Sequence, residues 1–194
     1  MKIILASKSG VRKQILDKHD IDNEVIVSNV DEDEIKESLL AEGANPLTIS
    51  KNLAEIKSIK VSNKQPNRLV LGADSVIALN EELINKPNSR EEAFEILKRL
   101  NNSKHYLISS VCISKNGAMI WNHTESSELK MKNLTNEELL LYLSKIETKT
   151  LLAYGVYQIE AEGLELFEYV KGDMDSIMGL PVKEIKSYIE QFKK

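Results

Sequence analysis

The chain has little of the residue types that mark several classes of protein. It carries one cysteine among its 194 residues, so no disulfide can form within one chain, and this favours a reducing compartment. Aromatic residues make up only 5% of the sequence, too few for a platform on which nucleic acid bases stack. No apolar run approaches the ~20 residues of a membrane span, and the first run is too short for a signal peptide. We therefore predict a cytoplasmic protein with no membrane partner.

The sequence also lacks a basic excess and an internal linker. Its 30 acidic and 26 basic residues give a net charge of −4, which argues against a protein that binds a nucleic acid polymer through its phosphates. A small phosphate ligand in a local basic pocket is compatible with this balance. No segment rich in proline, glycine or serine divides the chain, so residues 1–194 are predicted to form a single domain.

Residues 69–79 read LVLGADSVIAL, and an apolar run of this length predicts a buried strand. A carboxylate inside such a strand is costly unless it has ionic partners or a metal, so Asp74 requires an explanation. Gly72 permits close approach of another backbone, and Lys86 follows a polar turn. We predict that Asp74 and Lys86 meet at one end of a hairpin, and the alternative is a purely structural ion pair.

Residues 7–10 connect a short apolar strand, residues 2–6, to a helix at about residues 11–19. Ser9 is the predicted N-cap of this helix. Free backbone N–H groups and the positive end of the helix dipole make such a loop an anion site. Arg12 in the first turn is unfavourable beside that dipole unless an anion sits there, and the alternative is a solvated surface charge.

A second strand is predicted at residues 25–30, and an acidic run, residues 31–34, follows it. Such a run is typical of a solvated helix start, and it also offers oxygen ligands to a divalent cation. A helix is predicted at about residues 47–61, with Lys57 on the flank of its apolar stripe. From there its side chain can extend past the core into a cleft, and the alternative, which is commoner for lysine, is that it extends into solvent.

The second half of the chain alternates helices and strands. Capping boxes at residues 89–92 and 135–138 predict two helix starts. Between them lie two or three strands over residues 105–132, with Asn116-Gly117 as a hairpin turn. A last helix begins at Pro181. Local hairpins and interspersed helices predict an α/β fold, a mixed twisted sheet flanked by helices.

Five motifs occur in an order that resembles the Maf family of nucleoside triphosphate pyrophosphatases, also called septum-formation-inhibitor-like proteins. They are LASKSGVRKQIL at 5–16, LAEIKS at 53–58, GADSVIAL at 72–79, NKP at 85–87 and IMGLPV at 177–182. The resemblance spans nearly the whole chain. It implies a mixed α/β fold with a central nucleotide-binding cleft and the release of pyrophosphate from nucleoside triphosphates with a divalent metal, Mg²⁺ or Mn²⁺.

The resemblance also implies roles for individual residues. Asp74 matches the general base, and Lys57 and Lys86 match the two lysines of the cleft. Glu32 matches an acidic position that, with Asp74, holds the metal. The loop that binds the phosphates is matched by Ser7, Ser9 and Arg12. These residue types suit the chemistry, because cations offset the charge of a triphosphate and a carboxylate takes a proton from water.

Three positions depart from the commonest family pattern and form the predicted specificity set: Val11, Ser75 and Glu160. Val11 replaces an arginine, and Glu160 replaces a glutamine. Residues 160–168, EAEGLELFE, resemble the branch of the family that prefers 7-methyl-GTP over dTTP and UTP. Physical chemistry offers a reason for that preference, since a carboxylate presents two acceptors that match the N1–H and amino donors of guanine. Ser75 does not fit this branch, which usually has glutamine there.

The sequence therefore favours an enzyme that hydrolyses a nucleoside triphosphate, including modified ones such as 7-methyl-GTP, to the monophosphate and pyrophosphate in a house-cleaning role. The alternative is a nucleotide-responsive regulator of cell division with little catalysis, suggested only by the family's second name. Members of the family are often dimers, so a homodimer is expected from the resemblance alone.

Overall fold

The computed structural model describes residues 1–159 and 162–192. Within these ranges the chain forms one sheet of seven strands with helices on both faces. The strands are β1 (Ile3–Leu5), β2 (Asn23–Val25), β3 (Val70–Leu79), β4 (Glu82–Ile84), β5 (Lys104–Lys115), β6 (Ala118–Met131) and β7 (Phe167–Lys171). The helices are α1 (Gly10–Lys18), α2 (Glu32–Ala41), α3 (Pro46–Ser62), α4 (Arg90–Leu100), α5 (Asn136–Ser144), α6 (Thr148–Tyr154), α7 (Met174–Ile177) and α8 (Val182–Ile189).

The sheet has the strand order β2-β1-β3-β5-β6-β7, and β4 pairs with β3. The pairs β1–β2 and β1–β3 are parallel, and the remaining pairs are antiparallel. This arrangement confirms the predicted mixed sheet flanked by helices.

The central strand β3 has two unequal edges. One edge pairs with β5 from Val70 to Ala78. The other edge pairs with β1 at Val70 and Leu71 and with β4 only from Ile77 onward. In the described part of the chain, residues 72–76 therefore have no strand partner on that side, and a gap opens between β1 and β4.

Helix α3 lies against one face of β3 and β5, and the contact is close at Gly72. A Cβ atom at this position would lie 2.1 Å from the carbonyl oxygen of Ala54 and 2.7 Å from the backbone nitrogen of Ser58. Only a residue without a side chain allows the helix backbone to approach the strand this closely. Gly72 thus sets the distance between α3 and the sheet.

The opposite face of the sheet carries two hydrophobic clusters. One surrounds Leu5, Leu71 and Val111 and includes residues of α1 and α8. The other surrounds Leu97, Leu129 and Leu143 and includes residues of α4, α5 and α6. The two clusters fix α1 on one side of the gap in β3 and the α4–α6 group on the other.

Most of the predicted elements are confirmed, but the predicted range of the second strand is wrong. The structure forms β2 at Asn23–Val25 rather than at residues 25–30. Strand β2 pairs with β1 from Ile3 opposite Asn23 to Leu5 opposite Val25. Because β1 has only three residues, the residues after Val25 have no strand partner on β1. Residues 118–131 form one long strand, and helix α6 was not predicted.

Within the described residues, none of the helices combines the length and apolarity that a membrane crossing requires.

We predict that Gly72→Ala lowers the free energy of unfolding by about 1–3 kcal/mol, because the added methyl group forces α3 away from β3. Urea denaturation measures this loss. The matched control is Gly10→Ala, since a Cβ at Gly10 meets nothing within 4 Å and should leave stability unchanged. Equal stability of the two variants would contradict the tight helix–strand contact.

Candidate active site

A cleft of about 430 Å³ lies over the gap in β3. Its walls come from the loop after β1, the start of α2, the middle of α3, strand β4 and the segments around residues 153–159 and 177–179. One end is apolar, and the other carries charged side chains. The apolar lining includes Ile77, Leu83, Ile84, Ile96, Leu107 and Val156.

The charged end gathers residues that are far apart in the sequence. Every predicted site residue in the described part of the chain lines the cleft: Ser7, Ser9, Val11, Arg12, Glu32, Lys57, Asp74, Ser75 and Lys86. Glu160 lies outside the described residues. The residue two positions before it, Gln158, lines the cleft, and its amide nitrogen donates to the carbonyl of Gly155 at 3.1 Å.

Lys57 joins the two carboxylates of the cleft. Its Nζ lies 2.8 Å from Oδ1 of Asp74 and 2.9 Å from Oε1 of Glu32. Lys57 and Asp74 are each 5% exposed as whole residues. Lys57 reaches this position because it follows Leu53 and precedes Val61 at intervals of four residues, on the buried face of α3.

Asp74 keeps one oxygen free. Its Oδ2 is buried and has no hydrogen-bond partner among the described residues. Burial raises the pKa of Asp74, and the positive charges of Lys57 and Arg12 oppose this effect. A carboxylate with one oxygen fixed by an ammonium and the other unpaired is suited to accept a proton from a water molecule in the cleft.

Glu32 differs from Asp74 in its environment. It stands in the first turn of α2, whose N-cap Asp31 accepts from the backbone N–H of Glu34 at 3.1 Å. Partial burial acts to raise the pKa of Glu32, but the charge and hydrogen bond of Lys57 outweigh it, so the pKa is lowered overall. Glu32 is therefore an ionised carboxylate that faces the cleft.

Arg12 is anchored inside the protein. Its Nε donates to the carbonyl of Gly179 at 3.0 Å, and its Nη1 donates to the carbonyl of Ala73 at 3.0 Å and to Ser7 Oγ at 3.2 Å. Its Nη2 donates to Ser75 Oγ at 3.1 Å. These contacts exclude the alternative of a solvated surface charge. They also occupy four of the five N–H groups of the guanidinium. Because the acceptors belong to Ser7, Ala73, Ser75 and Gly179, Arg12 connects the loop after β1 to β3 and to the turn after α7.

The serines around Arg12 complete this network. Ser9 is the N-cap of α1, as predicted, and accepts from the backbone N–H of Arg12 at 3.4 Å. Ser7 Oγ also accepts from the backbone N–H of Ser9 at 3.2 Å. Ser75 Oγ lies 3.0 Å from Ser109 Oγ on β5. Ser75 therefore orients the guanidinium. Val11, in the first turn of α1, is partly buried and packs against the hydrophobic cluster that α1 covers.

Gly179 is a site residue that the sequence reasoning did not single out. Its φ is +99°, and a Cβ there would lie 2.9 Å from Ser75 Oγ and 3.3 Å from Arg12 Nε. A side chain would thus press on the group that the Gly179 carbonyl holds. The signal in the sequence was the glycine of the IMGLPV motif, because glycine adopts a positive φ at a helix end without strain.

Lys86 does not form the predicted contact with Asp74. Its Nζ donates to the carbonyl of Ala153 at 2.9 Å, whereas Asp74 is paired with Lys57. Asp74 lies in the middle of β3 and Lys86 lies beyond the end of β4, so the β3–β4 hairpin does not bring the two side chains together. Desolvation by the cleft walls lowers the pKa of Lys86, and Glu32 opposes this effect.

Lys36 is a second residue that was missed. It lines the cleft from α2, one helical turn after Glu32. The i,i+4 spacing places both side chains on one face of the helix, and this spacing was the signal that could have revealed it.

The described residues hold no group of three or more His, Cys, Asp or Glu side chains that could bind a metal by themselves. The carboxylate oxygens of the cleft that Lys57 does not contact are Oε2 of Glu32 and Oδ2 of Asp74. Two carboxylates fit a Mg²⁺ ion that takes its other ligands from water and phosphates, which is its usual coordination in proteins.

We predict that Lys57→Met destabilises the protein by about 3 kcal/mol, because it leaves the buried Asp74 carboxylate without its partner. The double variant Lys57→Met/Asp74→Asn should recover part of this loss. Urea denaturation of both singles and the double gives the coupling. The control is Lys13→Met, whose pair with Asp17 is exposed and should matter little. Additive effects of the two cleft substitutions would show that the pair is not coupled.

Comparison with known proteins shows which sequences this chain is similar to. The sequence profile of the family described as Maf-like protein matches residues 2–192. The nucleoside triphosphate pyrophosphatase of Pelagibacter ubique (strain HTCC1062) is 60% identical over 192 residues, 99% of this chain and 98% of that protein. The 7-methyl-GTP pyrophosphatase of Brucella abortus biovar 1 (strain 9-941) is 31% identical over 193 residues, 100% of this chain and 97% of that protein.

The nucleoside triphosphate pyrophosphatase of Ruegeria pomeroyi is 36% identical over 187 residues, 96% of this chain and 94% of that protein. A solved HAM1 protein from Coxiella burnetii has a TM-score of 0.45 and 14% identity over 69% of this chain and 74% of that one. The match of the family profile and of these sequences along almost the entire chain shows that the protein belongs to the Maf-like family.

Proposed function

We propose that this protein is a nucleoside triphosphate pyrophosphatase, which hydrolyses its substrate to a nucleoside monophosphate and pyrophosphate. The observation that carries the proposal is the buried Asp74, with Oδ1 on Lys57 at 2.8 Å and Oδ2 unpaired, at the floor of a cleft with cations at one end and an apolar pocket at the other. The names of the relatives with 60% and 36% identity support this reaction.

The reaction begins with attack of a water molecule on the α-phosphorus. Oδ2 of Asp74 accepts a proton from that water as the new P–O bond forms. The bond between the α-phosphorus and the oxygen bridging to the β-phosphorus breaks, and pyrophosphate leaves with the bonding electron pair. Lys57 holds the carboxylate in position, and the raised pKa of Asp74 strengthens it as a base.

The cations of the cleft stabilise the charge that develops on the phosphates. Lys86 is placed at the mouth of the cleft by its bond to the carbonyl of Ala153. The backbone N–H groups at the start of α1 face the same space as Ser7 and Ser9, and they suit a phosphate oxygen. Arg12 keeps this loop in place and has one N–H left for the substrate.

A divalent cation, Mg²⁺ or Mn²⁺, would be held by Glu32 and Asp74. When bound, it would neutralise charge on the phosphate oxygens and favour departure of pyrophosphate. The free oxygen of Asp74 and the ionised Glu32 are the features of the chain that support this assignment.

For the base, we propose that Glu160 accepts hydrogen bonds from the N1–H and amino groups of a guanine and that 7-methyl-GTP is the preferred substrate. A methylated guanine is cationic, so its hydrogen bonds to a carboxylate are charge-assisted. The apolar end of the cleft is suited to a planar ring. The name of the Brucella relative, at 31% identity, supports this substrate.

Product release from the purified protein tests the function. With Mg²⁺ or Mn²⁺, we expect pyrophosphate rather than phosphate from at least one of dTTP, UTP, CTP, GTP and 7-methyl-GTP, with the last preferred. Asp74→Asn should lower kcat by 10²-fold or more, in the range of a lost general base, and leave nucleotide binding largely intact. A pyrimidine preference would overturn the role of Glu160 and keep the reaction. Absence of pyrophosphate from every nucleotide would favour the nucleotide-responsive regulator.

Gly179→Ala should lower kcat/KM by about ten-fold or more, because the methyl group displaces Ser75 Oγ and the Arg12 guanidinium that holds the phosphate-facing loop. The matched control is Gly43→Ala. Gly43 also has a positive φ, +79°, but a Cβ there meets nothing within 4 Å, so both variants carry backbone strain and only one disturbs Arg12. Equal kcat/KM values for the two variants would argue against the contact of Gly179 with Arg12.

A further inference from the structure

Lys36 is a cation of the cleft with one weak ion pair, and the charge of Glu32, one helical turn away, also acts on it. Its side chain is 14% exposed. Among the described residues, its one ion pair or hydrogen bond is to Oδ1 of Asp33 at 3.5 Å, and the Asp33 side chain is 90% exposed. Withdrawing an ammonium from water costs free energy unless close partners replace the lost hydration. A distant, solvated carboxylate replaces little of it.

The other cleft cations differ from Lys36 in this respect. Lys57 has two carboxylates within 2.9 Å, and Arg12 has four protein acceptors at 3.0–3.2 Å. Lys86 donates to a carbonyl at 2.9 Å. Lys8 is exposed, so water solvates it. Lys36 is thus the mostly buried cation in the described lining with the weakest internal partner, and its ammonium has N–H donors left for an anion.

The position of Lys36 indicates which part of a ligand it meets. The close contacts of Gly72 with Ala54 and Ser58, and of Asp74 with Ser50, show that α3 runs antiparallel to β3. Lys57 therefore starts behind Asp74 and holds Glu32. Lys36 lies one turn further along α2 on the same face as Glu32, within range of the charges of both Glu32 and Lys86. The apolar lining residues Ile77, Leu83 and Leu107 lie ahead of Asp74 along β3. A nucleotide with its base in the apolar end and its α-phosphate at Asp74 places its outer phosphates among the cations of the cleft, which include Lys36.

We propose that Lys36 binds the β- and γ-phosphates of the substrate and retains the pyrophosphate after cleavage. This role deepens the proposed function and rests on it. The ammonium donates charge-assisted hydrogen bonds to phosphate oxygens, and the free protein carries the cost of a mostly buried, poorly paired charge until the anion binds.

Stability measurements distinguish a ligand-binding role of Lys36 from a purely structural one. If the side chain mattered through its i,i+3 contact with Asp33, replacing it would lower stability slightly and leave ligand binding unchanged. If it is held for an anion, an apolar side chain of similar length should leave the unliganded protein equally stable or more stable while weakening anion binding. Stability and affinity then change independently.

The test is calorimetric titration of the full-length protein with inorganic pyrophosphate, with and without Mg²⁺, combined with thermal unfolding. Lys36→Met should weaken pyrophosphate binding about ten-fold or more, as expected for a lost charge-assisted hydrogen bond, with no fall in Tm. Lys36→Arg should restore most of the affinity. The matched control is Lys98→Met, because Lys98 forms an i,i+3 pair with Glu95 on α4 and does not line the cleft.

Unchanged pyrophosphate affinity in Lys36→Met, or no binding of pyrophosphate by the wild type, overturns the assignment. Binding of pyrophosphate needs no turnover. Failure of the Lys36 assignment is therefore distinguishable from failure of the proposed function, which would appear as no hydrolysis of any nucleotide by the wild type. If Lys36→Met does not fold, Lys36→Gln gives the same comparison, and a loss of affinity confined to the Lys36 variants supports the assignment.

Discussion

A lysine ammonium held between two carboxylates is the interaction on which the rest of the cleft depends. Asp74 lies in a strand that is buried on both faces, where an ionised carboxylate cannot persist without a counter-charge. Lys57 supplies that charge at 2.8 Å, and the same Nζ holds Glu32 at 2.9 Å. One side chain of α3 therefore keeps β3 and the start of α2 at a fixed separation. Oδ2 of Asp74, which Lys57 does not contact, keeps its capacity to accept a hydrogen bond or a proton.

The cleft exists because the edge of β3 is divided between two short partners. Strand β1 ends at Leu5, where the chain turns into the Ser9-capped helix α1. Strand β4 begins pairing only at Ile77. The backbone groups left between them must find other partners, and the guanidinium of Arg12 provides one by donating to the carbonyl of Ala73. The gap in the sheet and the buried arginine are thus parts of one arrangement.

Much of this architecture could be predicted from the sequence because the relevant signals are local. The apolar run around Asp74, the cap at Ser9 and the capping box at Thr135 each determine an element through neighbouring residues. The partner of Asp74 could not be predicted in this way. Lys86 is nearer in sequence, but the hairpin geometry carries it to Ala153, and the pairing with Lys57 depends on the approach of α3 that Gly72 allows.

The cleft also explains how an acidic chain can accept a highly charged anion. Its described lining holds five cationic side chains and two carboxylates, whereas the whole chain has a net charge of −4. Because the positive charge is confined to a recess, a small polyphosphate can reach it, while an extended polyanion meets the acidic remainder of the surface. The cations are further divided by role, since Arg12 and Lys57 are committed to protein acceptors and shape the recess. The electrostatic attraction toward a ligand is left to lysines with weaker internal partners, so binding strength can vary without loss of the fold.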